Sequence, residues 1–379
     1  LSRKLDFFYF EAGGGHRAAA QALKQVIDEQ QRGWDVRLVN LQQLLLELDV
    51  ARKWFHIHME DIYNLLLKKG WTLGMAQMKK VLLAVIRHYH PAVVRELAKH
   101  FAQRQPDLAV SLIPNFNRAL YEALAATVPG APYVTILTDL SDFPPHFWIE
   151  RGQRQYIICG SERAVRQARE MGHDEAHVLK VSGMILNPRF YQPLELDRSA
   201  ERIRLHLDPQ LPTALVLFGG EGSPAMLTIA RRLNRVRLPM QAIYICGRNE
   251  KLRQRLQAMP HAMPVHIEGF TREIPTYMAL SDFFIGKPGP GSISEAVAMK
   301  LPVIVERNAW TMPQERYNAD WVMENGLGLI VRSFHEIAGA VRKLSDPEYA
   351  ARCRANAAAR HNRAVYEIPD LLERIMHDA

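Results

Sequence analysis

The chain is 379 residues long, 48% hydrophobic and 23% charged, with 22 Gly and 22 Pro. That balance belongs to a globular protein of about two domains and excludes a mainly disordered, fibrous or low-complexity chain. The net charge of +8 and the pI near 9.4 leave an anionic partner open. No apolar run approaches the roughly 18 residues of a membrane-spanning helix, and Phe7 to Phe10 is too short for a signal-peptide core. The chain begins at Leu1 rather than Met, which leaves room for an upstream segment, a targeting segment included. Cys159, Cys246 and Cys353 show no CxxC spacing, which argues against a disulfide framework and a zinc site and fits the cytoplasm. Cys159 and Cys246 each end an apolar run, where a free Cys acts as a small buried hydrophobe.

The first predicted strand, Leu5–Phe10, runs into Gly13-Gly14-Gly15, and a helix follows with Ala18, Ala19, Ala20, Ala22, Leu23, Val26 and Ile27 on its buried side. A strand at Asp35–Asn40 comes next, then helices across about 51–103 and a strand at Leu108–Leu112. A helix near 117–127, a strand at Tyr133–Leu137, a strand at Tyr156–Cys159, a helix near 161–171 and a strand at His177–Val181 complete this series. Ser182 to Pro193 is a link with Pro188 and Pro193. The alternation restarts with strands at Ala214–Phe218, Met240–Cys246, Pro264–Ile267, Asp282–Ile285, Pro302–Glu306 and Gly328–Val331, and the tail 334–377 reads as helical throughout. Strands alternating with helices predict parallel sheets covered on both faces. The fold class is α/β, with two Rossmann-like domains facing across a cleft and ligands at the carboxyl ends of the strands.

Residues 51–100 carry nine Lys and Arg against three acids, which is +6 of the +8. Trp54, Phe55, Trp71, Met75 and Met78 interleave with these cations. Such a pattern fits a peripheral face on an anionic membrane. It fits equally a helix that buries one face in a domain core. No nucleic-acid-binding motif accompanies the charge, so no nucleic-acid partner is expected.

Four motifs carry chemistry. In Glu11-Ala-Gly-Gly-Gly-His16 the glycines allow a sharp turn from strand to helix, and His16 falls at the helix start. The partial positive charge there disfavours an imidazolium, so the ring is expected neutral and able to accept a proton at pH 7. There is no GxGxxG and no Lys-Ser/Thr of a P-loop, and a plain strand-to-helix turn would look the same. Phe218-Gly-Gly-Glu-Gly-Ser-Pro224 occupies the same place in the second half, where backbone N–H groups could hold a diphosphate. Gly286-Lys-Pro-Gly-Pro-Gly-Ser-Ile-Ser-Glu295 is the densest motif. Glu295 there reads as a carboxylate for ribose hydroxyls in a loop wrapping a nucleotide, or as half of a Ser292–Glu295 capping pair. Pro313-Gln314-Glu315-Arg316-Tyr317-Asn318 offers amides for sugar hydroxyls, or an ordinary helix start.

Together these motifs resemble the monogalactosyldiacylglycerol synthase-like family of GT-B glycosyltransferases. More distantly they resemble the enzyme that adds N-acetylglucosamine to lipid I in peptidoglycan synthesis. The matching pieces are GGGHRAAAQAL at 13–23, VTILTDLSDF at 134–143, ILNPRF at 185–190, GGEGS at 219–223, GFTREIPTYMALSDFFIGKPGPGSISEAVAMKLPVIV at 269–305 and PQERYNADWVMENGLG at 313–328. They stand in the family's order along nearly the whole chain.

The resemblance implies a UDP-sugar donor, UDP-galactose or UDP-glucose, an inverting hexosyl transfer without metal or other cofactor, and a membrane lipid acceptor, diacylglycerol above all. It places His16 as the group activating the acceptor hydroxyl, with Gly14, Gly15 and Asp139 on the acceptor side. On the donor side it places Phe270 at the uracil, Glu295 at the ribose, and Gly220, Gly222 and Ser223 near the diphosphate. Gly289, Gly291 and Ser292 would meet the phosphates, and Gln314 with Asn318 the hexose. The chain has no DxD, since Asp139 and Asp142 are not spaced as one. The implied domains are 1–185, facing acceptor and membrane, 186–360, binding the UDP-sugar, and a helix over 361–379 packing back towards the first. The implied location is cytoplasmic, peripheral on the inner face of the membrane. Pro144–Cys159 departs from the plant pattern, which leaves other lipid acceptors open. A UDP-sugar 2-epimerase on the same architecture and a non-catalytic basic lipid-binding protein are the competing readings.

Overall fold

A computed structural model of the chain describes residues 2–11, 14–46, 75–143, 146–235 and 238–378, with the side chains of 46 and 75–87 outside the description. Gly13, Pro144 and residues 51–74 of the basic segment therefore lie outside the described residues. The chain divides into two compact units. Leu1–Asn187, Met312–Gln314 and Arg363–Ala379 form the first, and Pro188–Thr311 with Glu315–Asn362 the second.

The first unit is built on six parallel strands, β1 (Lys4–Tyr9), β2 (Asp35–Asn40), β3 (Leu108–Ser111), β4 (Tyr133–Ile136), β5 (Tyr156–Cys159) and β6 (Val178–Lys180). Their spatial order is β2-β1-β3-β4-β5-β6. β3 and β4 are buried at every residue, as strands covered on both faces must be. The helix Gly15–Glu29 buries Ala19, Ala20, Ala22, Leu23, Val26 and Ile27, whereas Ala18, expected among them, is exposed. The helix Glu162–Glu170 is capped by Ser161, whose Oγ accepts from the Ala164 N–H at 3.1 Å. The last helix, Ala364–Asp378, packs against Gly15–Glu29. Arg32 fastens it by donating to Glu373 at 2.8 Å and by pairing with Asp370, and the Ser182 N–H donates to Glu367 at 2.8 Å.

The second unit carries β7 (Thr213–Leu217), β8 (Gln241–Ile245), β9 (Val265–Glu268), β10 (Phe283–Gly286), β11 (Val303–Glu306) and β12 (Gly328–Val331). Their order is β12-β11-β10-β7-β8-β9, all parallel, which is the doubly wound dinucleotide-binding order. The strands form where the apolar runs predict them, each end within one residue. Cys159, Cys246 and Cys353 are free and buried, and burial pushes the first two thiols up to about 12 and about 11. Their expected role as small hydrophobes is what the structure shows.

Two expectations need correction. The tail is not one helical stretch but Ile337–Leu344, Pro347–Ala358 and Ala364–Asp378. Asp346 ends the first by capping the second, accepting from the Glu348 and Tyr349 N–H groups, with Pro347 at the first helical position. The stretch after Pro193 also holds an unforeseen helix, Arg198–Arg204, capped by Asp197. Its Arg202 is 3% exposed and donates to the carbonyls of Leu280, Pro209 and Leu211 and to Asp282. Asp282 in turn accepts from the Thr213 N–H at 2.8 Å, so this guanidinium ties together the amino ends of β7 and β10. Asp282 is 28% exposed and keeps Arg198, which donates to it at 2.7 Å, so the loss of Arg202 chiefly orphans the buried carbonyls it serves, at about 1–3 kcal/mol. Arg202→Met is expected to lower the unfolding free energy by about that amount in urea titrations.

Candidate functional site

In each sheet the winding reverses at its first strand. β1 lies between β2 and β3, and β7 lies between β8 and β10. Loops leaving the carboxyl ends of β1 and β3, or of β7 and β10, diverge to opposite faces and open a crevice there. Every glycine-rich motif falls on one of these loops.

In the first unit the chain leaves β1, turns through Gly14 in the left-handed region at φ 76°, and enters the helix at Gly15. His16 is therefore the second helical residue, and its Nδ1 lies 3.0 Å from the Thr138 hydroxyl, just past β4. Its ring is tilted towards Trp148 at 5.9 Å between centroids. Desolvation lowers the His16 pKa to about 4, and the Leu112 backbone works against that shift. The ring is neutral at pH 7 as expected, but burial is the dominant cause. Asp139 is buried and accepts the Trp148 indole N–H at 2.9 Å. Asp142 accepts backbone N–H groups from His146, Phe147 and Trp148, which seats the indole. Gly15 is exposed at the mouth of the turn. Thr138 and Trp148 were not singled out from sequence, although one adjoins Asp139 and the other stands in the aromatic stretch after it.

In the second unit the loop 218–224 leaves β7. Gly222 has φ +62°, and a Cβ there would stand 2.6 Å from the Cys246 carbonyl oxygen. Gly247 has φ +60°, and its Cβ would stand 2.1 Å from the Gly220 oxygen. The loops after β7 and β8 thus touch backbone to backbone, and glycine is required at both places. Ser223 Oγ accepts from the Ala225 N–H at 3.2 Å at the start of the helix Ala225–Leu233. Gly220 is exposed, and Phe270, just past β9, is 53% exposed, unusual for so large an apolar side chain.

The loop after β10 leads into the helix Pro290–Ala298. Gly289 is its cap and has no side chain to bond the first N–H groups, and no acid stands in its first turn. Gly291 and Ser292 lie in that turn, with open space around Gly291. Such a terminus presents unpaired backbone donors to an anion. Glu295 is within the helix rather than in a loop, and with Gly289 as cap the Ser292–Glu295 capping alternative falls away. Its half-buried carboxyl is pushed up to about 7 by desolvation.

Asn318 is fully buried: its Nδ2 donates to the Pro288 carbonyl at 2.9 Å and so holds the 286–291 loop, while its Oδ1 has no hydrogen-bond partner among the described residues. Lys287 donates to the buried Glu315 at 2.9 Å from the same loop. Gln314 is half-buried, its Nε2 3.6 Å from the Met312 sulfur, within the three residues that group with the first unit. Among the described residues no three His, Cys, Asp or Glu side chains cluster as a metal ion would require.

Two parallel doubly wound sheets, each with a glycine-rich loop at its switch point, make up the GT-B architecture. The Glycosyltransferase family 28 C-terminal domain matches residues 214–370, and Monogalactosyldiacylglycerol (MGDG) synthase matches residues 16–184. The chain is 30% identical to the "Probable monogalactosyldiacylglycerol synthase, chloroplastic" of Nicotiana tabacum, over 99% of its own length and 70% of that protein's. It is 29% identical to the "Monogalactosyldiacylglycerol synthase, chloroplastic" of Spinacia oleracea, over 97% and 70%. The chain belongs to the monogalactosyldiacylglycerol synthase family. Its fold is shared by S. aureus MnaA with UDP, TM-score 0.64, 16% identity, covering 99% and 97% of the two chains. It is shared also by Acinetobacter baumannii MurG, TM-score 0.63, 13% identity, covering 98% and 99%.

The raised carboxyl of Glu295 sets a sign for stability. Between its ordinary value of 4.5 and about 7 the unfolded chain is ionised there while the folded one keeps the proton. Stability is therefore lost as pH rises through that window, by at most about 1.4 kcal/mol per pH unit. Melting from pH 5 to 8 is expected to show the unmodified protein losing ground to Glu295→Gln up to about pH 7 and running parallel above it.

Proposed function

We propose that the protein moves a hexose from UDP-galactose or UDP-glucose to the hydroxyl of a membrane lipid, diacylglycerol being the acceptor to which the relatives' names point. The observation that carries the donor reading is the glycine-capped start of the helix Pro290–Ala298, with Glu295 further along it, which follows β10, the strand adjoining the one that carries the 218–224 loop. Gly220, Gly222, Ser223, Gly289, Gly291 and Ser292 surround the diphosphate. Phe270 lies at the uracil, Glu295 accepts from ribose hydroxyls, and Gln314 reaches the hexose. Asn318 holds the 286–291 loop through its nitrogen and keeps its unpartnered Oδ1 for a hexose hydroxyl.

On the acceptor side, Gly14 and Gly15 let the backbone come close, and Asp139 fixes Trp148 against His16. The acceptor oxygen attacks the anomeric carbon from the face opposite the diphosphate, so the sugar inverts. The carbon–oxygen bond to UDP breaks, UDP leaves with the electron pair, and the acceptor proton passes to His16. A base with a pKa near 4 takes that proton late, once bond formation has made the hydroxyl strongly acidic. Backbone N–H groups stabilise the leaving diphosphate, so no step calls for a metal. The basic segment 51–100 holds the enzyme peripherally on an anionic, inner-face membrane surface. No helix among the described residues is long and apolar enough to cross a bilayer.

Purified protein with anionic liposomes containing diacylglycerol, one UDP-sugar at a time and EDTA is expected to release UDP with one sugar only, and only with the lipid present. Conversion of a UDP-sugar with no lipid added would instead establish the epimerase reading. His16→Ala is expected to lower kcat by about 100- to 10,000-fold while leaving UDP affinity within a factor of about two, since a base lost in the transition state does not weaken ground-state binding.

A further inference from the structure

Arg248 belongs to none of the motifs above, yet it sits where three loops of the second unit meet. It follows Gly247 in the loop after β8, and its own N–H donates to the Gly220 carbonyl at 2.8 Å. That bond, with the contact of Gly247 against the Gly220 backbone, fixes Arg248 relative to the 218–224 loop. Its guanidinium lies 4.5 Å from the centre of the Phe270 ring, beyond β9. Its Nη1 is 3.3 Å from Glu221 Oε1, and a Cβ on Gly220 would stand 3.5 Å from the same nitrogen. One planar cation therefore spans the exposed aromatic ring and the exposed glycine whose backbone faces the diphosphate in the donor reading. Its only anionic partner among the described residues is the exposed Glu221, and pairs so open to solvent contribute about 0–1 kcal/mol.

We infer, resting on the donor reading, that Arg248 is a donor-binding residue that keeps its face on Phe270 and turns its N–H edge from Glu221 to the diphosphate. The exchange suits the chemistry. A guanidinium presents a fork of donors to phosphate oxygens and stacks on an aromatic face at the same time, which a lysine ammonium cannot do. A diphosphate carries more charge than a single carboxylate and is held against backbone donors, so it displaces Glu221 without any bond being made or broken. The ring of Phe270, pinned by the cation on one face, is left with its other face for a base.

The test is calorimetric titration of the unmodified protein, Arg248→Lys, Arg248→Ala and Glu221→Gln with UDP, UMP and uridine at two salt concentrations, each variant first checked by its melting temperature. Arg248→Ala is expected to weaken UDP at least tenfold and uridine less than threefold, with a flatter salt dependence for UDP. Arg248→Lys is expected to fall between them, and Glu221→Gln to bind UDP as tightly as the unmodified protein or more so. Equal losses for UDP and uridine, or no loss for either, would overturn the assignment of Arg248 to the diphosphate. Failure of the unmodified protein to bind UDP would overturn the donor reading itself.

Discussion

Both sheets depend on one constraint, that a parallel strand can be followed only by a crossover, and crossovers on either side of the first strand run to opposite faces. At β1 and at β7 this leaves a gap at the carboxyl edge that no helix fills. Chain crossing such a gap must turn sharply and keep its amides free, which explains why glycine gathers there. Gly14, Gly222 and Gly247 hold positive φ angles, and at the last two a side chain would strike a neighbouring carbonyl. The site is thus a property of strand order first and of side chains second.

The charges at these gaps follow from desolvation. His16 and Glu295 are moved in opposite directions, one down and one up, and in each case burial is the leading cause. Both groups are thereby held towards their neutral forms before a substrate arrives. Elsewhere in the protein buried charge is paired, as Asp6 is with His100 and Arg104, or Arg202 with Asp282. A buried ionisable group lacking a strong counter-charge is uncommon away from a binding surface.

Strands were legible because both faces of each are covered, so runs such as YIIC and LAVS are continuously apolar. Their order in space was not legible, since no local pattern records which strand lies beside which. The glycine motifs could be read as turns and their ligands inferred only by resemblance. Asn318 shows the limit: nothing local in PQERYN records that its amide nitrogen is taken up by the carbonyl of Pro288, thirty residues away. Arg248 was passed over because its neighbours, Gly220 and Phe270, are distant in sequence. The break at Asp346-Pro347 was readable from its own chemistry, and the amphipathic helices on either side masked it. The basic segment remains the most distinctive sequence feature, with residues 51–74 outside the described residues.

The helix Ala364–Asp378 belongs to the first unit although the whole of the second separates it from the rest. The polypeptide therefore passes out of the first unit and returns to it, so neither unit is released by one proteolytic cut between them. On the ribosome the order of completion is inverted. The second unit has all six of its strands before the first receives the helix that covers Gly15–Glu29. Until then the part of Gly15–Glu29 that this helix packs against stays open, and a nascent chain finishes its second sheet before its first unit is closed.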